Sequence, residues 1–96
     1  MLTTTEILST LRSQRARFDE LGVKRLGIFG SFARGDARPD SDLDVLVEFE
    51  RPTFDGYMDL KFYLEDLFGR RVDLVLADQI KPLLRDRILS EVIDAA

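Results

Sequence analysis

Apolar residues at positions 7, 8, 11, 18 and 21 (Ile7, Leu8, Leu11, Phe18, Leu21) recur at helical spacing between charged neighbours. The spacing predicts an amphipathic helix over residues 3–21. Thr3 and Glu6 stand three apart, as in a capping box, and Gly22 suits the position just past the end. Lys24–Phe29 predicts a short first strand. Gly30-Ser31 ends it, and Ser31–Arg34 can open a short helix. Gly35 followed by Pro39 predicts a loop over 36–41. Asp42–Phe49 predicts a second strand in which Val45, Leu46 and Val47 fill a buried stretch, and Arg51-Pro52 breaks it. Residues 54–68 predict a second long helix with Phe54, Tyr57, Met58, Leu60, Leu64, Leu67 and Phe68 for packing, closed by Gly69. Val72–Leu76 predicts a third strand, and residues 83–94, after Pro82, a last helix. The order α-β-α-β-α-β-α predicts an α/β (α+β) fold in one domain, residues 1–96: a small three-stranded mixed sheet flanked by helices.

That last helix carries Leu84, Ile88, Leu89, Val92 and Ile93, more apolar surface than one buried face requires. It either packs on the sheet or offers a docking surface. Arg12, Arg15 and Arg17 read as a solvated face.

Composition narrows the chemistry. The chain holds 96 residues, 45% of them hydrophobic, which suits a globular core. Its formal net charge of −4 gives no general attraction to a phosphate backbone, so stable nucleic-acid binding is not expected. There is no Cys and no His. Disulfides, thiolate zinc sites, Cys nucleophiles and imidazole acid–base catalysis are therefore excluded. Catalysis must use carboxylates, hydroxyls, Lys, Arg or Tyr, or a metal held by oxygen ligands. The first residues lack the apolar run of a secretory signal, and no stretch approaches a membrane span, so a cytoplasmic location with no membrane partner is expected.

The informative segment is Gly30-Ser31, followed ten residues later by Asp42-Leu43-Asp44. Asp42 and Asp44, two apart on a predicted strand, point the same way. Neighbouring carboxylates repel unless a cation lies between them, and an all-oxygen donor set suits Mg²⁺, with Mn²⁺ as the alternative. An Asp-x-Asp can also simply face water, but Asp is a poor strand former and these two begin a buried strand. Gly30 permits close backbone approach, and a strand turning into a helix offers free N–H groups to a phosphate. Ser31 could add a hydroxyl donor or merely cap the helix. Arg34 lies one turn on, toward the phosphate side. If the first two strands are antiparallel and the third is parallel to the second, Asp73 joins Asp42 and Asp44 at one sheet end. Those parts suit two-metal phosphoryl or nucleotidyl transfer.

The run Gly30-Ser31-Phe32-Ala33-Arg34-Gly35, then Asp42-Leu43-Asp44, then Asp73, resembles the nucleotidyltransferase superfamily that includes DNA polymerase beta. Residues 30–44, Arg71–Val75 and Lys81–Leu89 are similar to the stand-alone minimal nucleotidyltransferase (MNT) domains, commonly the antitoxin halves of HEPN/MNT toxin–antitoxin pairs. The resemblance implies transfer of AMP from ATP onto a hydroxyl, with a tyrosine of a HEPN-type toxin as acceptor. It implies that Asp42 and Asp44 bridge two Mg²⁺ ions. Asp73 would complete the site on the acceptor side and help take the hydroxyl proton. Gly30 and Ser31 would hold the terminal phosphates and Arg34 would neutralise their charge; Ser41 completes the candidate nucleotide-binding set. The fingers, thumb or helical substrate domain of larger relatives is not recognisable, so the acceptor is expected on a partner protein. The alternatives are an antitoxin that neutralises by binding alone, and a small-molecule (antibiotic) nucleotidyltransferase.

Overall fold

The computed structural model describes residues 2–95. Its first two helices are α1 (Thr4–Ser13) and α2 (Arg15–Glu20). The capping box at Thr3 and Glu6 is formed. The single helix expected over 3–21 is instead two, because Gln14 leaves helical geometry (φ −102°, ψ 19°). The break lets the Gln14 side chain accept a hydrogen bond from the Tyr63 hydroxyl at 2.7 Å.

Then follow β1 (Val23–Phe29), the short helix α3 (Gly30–Arg34) and β2 (Leu43–Phe49). Next come α4 (Phe54–Phe68), β3 (Val72–Leu76), a 3₁₀ turn over Ala77–Gln79, α5 (Pro82–Glu91) and β4 (Ile93–Asp94). Thr53 caps α4 and Gly69 ends it in left-handed conformation, which bounds that helix as the sequence predicts.

The sheet order is β3-β2-β1-β4. β1 pairs antiparallel with β2, and β2 parallel with β3, across the α4 crossover. The expected three-stranded sheet thus has a fourth strand, and the last helix stops at Glu91 rather than 94. β-Branched Val92 and Ile93 leave the helix, and β4 pairs with Gly27 and Ile28 on β1. Gly27 admits this neighbour: a Cβ there would stand 2.8 Å from Val92 Cγ2 and 3.0 Å from the Ile93 carbonyl oxygen. Ala95 is buried and its N–H donates to the Leu26 carbonyl.

Alternation along the strands sorts residues into two layers. Leu26, Ile28, Leu43, Val45, Val47, Val72 and Leu74 join Ile7, Leu11, Phe18, Leu60 and Leu64 in the main core under α1, α2 and α4. The opposite face is covered more sparsely, by Phe29, Leu46, Ile80 and Ile88. Asp44 and Asp73 alternate with main-core residues and so belong to this second face. Of the last helix's apolar residues, Ile88 is buried, while Leu83 (97% exposed), Leu84 and Leu89 face outward. Among the described residues no helix is long and apolar enough to cross a membrane.

Candidate active site

The antiparallel β1–β2 pair brings the end of β1 to the start of β2, with Phe29 opposite Asp44. The parallel β2–β3 pair sets Asp44 opposite Asp73. The Gly30 turn, Asp44 and Asp73 therefore share one sheet end, as their order in the chain predicts. Asp42 lies just outside β2, exposed. The strand predicted from residue 42 begins at Leu43, whose N–H donates to the Arg71 carbonyl at 3.0 Å.

Gly30 is required twice. Its φ of +71° lies in the left-handed region. A Cβ built on it would stand 2.0 Å from Asp44 Oδ2, so the carboxylate rests directly on the glycine backbone. Phe29 occupies the cap position of α3, with no side-chain cap bond. Ser31 is therefore not the helix cap, which removes the simplest structural reason for a serine there. The Ser41 hydroxyl accepts from Arg38 N–H at 2.8 Å and closes the turn before Asp42.

Asp44 is half-buried, and its carboxyl is pushed up to about 6. Burial is the largest cause; the Asp73 and Asp42 charges add to it, Arg34 opposes, and Glu91 adds a little. Like charges crowded beside a desolvated carboxylate are what a bound cation relieves, and the donors are all oxygen, so these acids fit a divalent metal. Among the described residues, no three acidic side chains already form a ligand cluster.

Glu91, at the end of α5, is a site residue that the sequence did not disclose. Its carboxylate accepts from Gly30 N–H at 3.3 Å and from Arg34 Nη1 at 3.1 Å. Burial pushes its carboxyl up, but hydrogen bonds from Arg34 and Gly30 outweigh that and hold it below the usual range. Arg34 also donates to Asp36 at 3.2 Å. The two groups expected to meet phosphate thus hold an internal anion. Glu91 could not be picked out in advance: beside Arg87, four residues earlier, it reads as an ordinary helix surface pair.

Two surface grooves, of about 210 and 500 Å³, are lined by other residues and contain none of the three acids. Asp42 and Asp73 are exposed, with the half-buried Asp44 beside them. An acidic sheet end beside a Gly-Ser turn, on this mixed sheet, defines a protein of the phosphoryl- or nucleotidyl-transfer class.

Comparison with known proteins sharpens the class. Residues 10–95 match the family described as nucleotidyltransferase domain. Over 95 residues the chain is 43% identical to protein adenylyltransferase MntA of Thermococcus cleftensis, covering 97% of this chain and 96% of that one. A solved structure provisionally named a minimal nucleotidyltransferase matches with a TM-score of 0.81 at 39% identity, covering 96% of this chain and 95% of the other. A toxin–antitoxin crystal structure with AMP-PNP matches with a TM-score of 0.70, covering 99% of this chain and 73% of that one; at 20% identity this likeness shows the fold. The chain belongs to the nucleotidyltransferase domain family.

Proposed function

We propose that this domain transfers AMP from ATP to a protein hydroxyl, a tyrosine of a HEPN-type toxin, and so acts as an antitoxin. The observation that carries the reading is the convergence of Gly30, Asp44 and Asp73 at one sheet end, with Asp44 against the Gly30 backbone. Identity of 43% over nearly the full length of a protein adenylyltransferase supports it. The exposure of Asp42 and Asp73 favours a macromolecular acceptor over a small molecule. The reaction forms a bond from the acceptor oxygen to the α-phosphorus and breaks the bond to the β-phosphate, releasing pyrophosphate.

Asp42, Asp44 and Asp73 would hold two Mg²⁺ ions, or Mn²⁺. Such ions, when bound, stabilise the attacking and leaving oxygens of an in-line displacement. Gly30 and Ser31 take the terminal phosphates, and Arg34 balances their charge, in exchange for the Glu91 carboxylate they hold here. Asp73, exposed on the edge strand β3, would help take the acceptor proton. Ser41 contributes through the turn that presents Asp42.

Co-incubation with a HEPN partner and ATP, followed by intact-mass analysis, tests the proposal. A mass gain of AMP on the partner that disappears with Asp44→Asn is expected. Unmodified partner that is nevertheless neutralised by Asp44→Asn would show an antitoxin acting by binding alone.

A further inference from the structure

Asp42 is held differently from the other two acids. Asp44 and Asp73 sit within strands, fixed by their ladders. Asp42 precedes its strand and has only the turn of residues 38–41 behind it. One side chain reaches that turn from across the site. Arg70 follows Gly69, the left-handed residue that ends α4, and lies three positions before Asp73. Its Nη1 donates to the Ser41 carbonyl at 3.0 Å. Its guanidinium lies over the Phe32 ring, 4.9 Å from the centroid. Ser41 is adjacent to Asp42, and Phe32 is adjacent to Ser31. A single guanidinium therefore joins the three segments that carry the Gly-Ser turn, Asp42 and Asp73.

The join has a cost. Arg70 Nε is buried with no hydrogen-bond partner. An orphaned buried donor in a native structure calls for a reason beyond packing. A lysine could supply the charge, but not the flat face against Phe32 together with a directed N–H to Ser41.

We propose that Arg70 is a positioning residue that sets the Asp42 carboxylate relative to Gly30–Ser31 and Asp73. The proposal rests on the nucleotidyltransferase reading above. It assigns Arg70 no contact with nucleotide or metal. Loss of Arg70 frees the turn at Ser41, so Asp42 no longer meets a cation at the spacing that Asp44 defines.

The test uses the full chain, wild type against Arg70→Ala, Arg70→Lys, Asp42→Asn and the double variant Asp42→Asn/Arg70→Ala. AMP-PNP binding is measured by calorimetry across a Mg²⁺ titration, alongside thermal melts. Both Arg70 variants are expected to need roughly 10-fold more Mg²⁺ for half-maximal binding, the scale on which groups behind a metal ligand act. At saturating Mg²⁺ their affinity should stay close to wild type. In the Asp42→Asn background, Arg70→Ala should add no further Mg²⁺ requirement. An unchanged Mg²⁺ requirement, a loss independent of Mg²⁺, full recovery in Arg70→Lys, or additivity in the double variant each overturns the proposal. Unfolding of both Arg70 variants also overturns it, leaving Arg70 as part of the fold alone. Failure of the wild type to bind AMP-PNP with Mg²⁺ would instead remove the nucleotidyltransferase reading, and this inference with it.

Discussion

Gly30→Ala separates the needs of the fold from those of the site. The backbone at Gly30 has φ +71°, a region that costs an L-residue roughly 1–2 kcal/mol. Alanine also restricts the unfolded chain, which returns about 0.4–1 kcal/mol. The new Cβ would lie 2.0 Å from Asp44 Oδ2, against 3.4 Å for ordinary contact, so one group must retreat by about 1.4 Å. The carboxylate is the end of a short, half-buried side chain on an open surface and can rotate away. The fold should therefore lose only about 1 kcal/mol, a melting-point drop of roughly 4–8 °C for a domain of this size. The site should lose far more, because a displacement near 1 Å can cost about 100-fold in rate. Calorimetric melts together with AMP transfer to a HEPN partner measure both halves. The drop should persist in an Asp44→Ala background, because it arises from the backbone at residue 30 and not from the collision. Near-wild-type transfer by Gly30→Ala, or a stability loss that vanishes in the Asp44→Ala background, would refute the reasoning.

Asp44→Asn should raise the melting temperature of the metal-free protein near neutral pH. The Asp44 carboxyl is raised from 3.8 to about 6, so the native state holds its proton more tightly than the unfolded chain. Its contribution is fully present below about pH 4 and is lost as pH rises through 6. Melts in EDTA from pH 4 to 8 should show the wild type falling relative to the variant, and parallel curves would contradict this origin of the shift. Mg²⁺ should raise the melting temperature of the wild type and do so much less in Asp44→Asn; equal responses would place the ion elsewhere. Glu91→Gln should lower stability by about 1–2 kcal/mol, because it weakens charge-assisted bonds to Gly30 N–H and Arg34. The same change should tighten ATP binding several-fold, because the phosphates no longer displace a carboxylate; weaker binding in titration calorimetry would show that Glu91 assists the nucleotide instead.

The sequence was most legible where local signals bounded an element. Thr53 and Gly69 bracket α4, and Val72–Leu76 is a compact β-branched run, so both elements lie at their expected residues. The Gly-Ser turn and the three acids were visible because their spacing has a chemical reason independent of the rest of the fold. The break at Gln14 was hidden, since the apolar periodicity continues across it into Phe18. β4 was hidden because two residues in helical register with Ile88 and Leu89 look like one more turn. Only the absence of a side chain at Gly27, 66 positions before Ile93, makes the sheet edge available to them. The C-terminal segment is not a free docking element, since Ile88 and Ala95 are buried parts of the fold. A docking surface on α5 has to be sought at the exposed Leu83, Leu84 and Leu89.

Charge placement connects the second sheet face to the chemistry. The main core takes every inward residue of β2, leaving the alternate positions 44, 46 and 48 to a face covered only where Phe29, Leu46, Ile80 and Ile88 meet. Asp44 stands at the rim of that cover. It is buried enough for its charge to be costly and open enough to receive a ligand. Deeper burial would hold the acid protonated and unable to bind a cation; full exposure would remove the incentive to bind one. Glu91 deepens the imbalance from one side, and Arg34 offsets it from the other. Asp44 thus stands among like charges, fixed by the strand ladders and resting against the Gly30 backbone. On the proposed reading, a nucleoside triphosphate arriving with divalent ions would bring the positive charge that relieves this crowding to the sheet end where the acids stand.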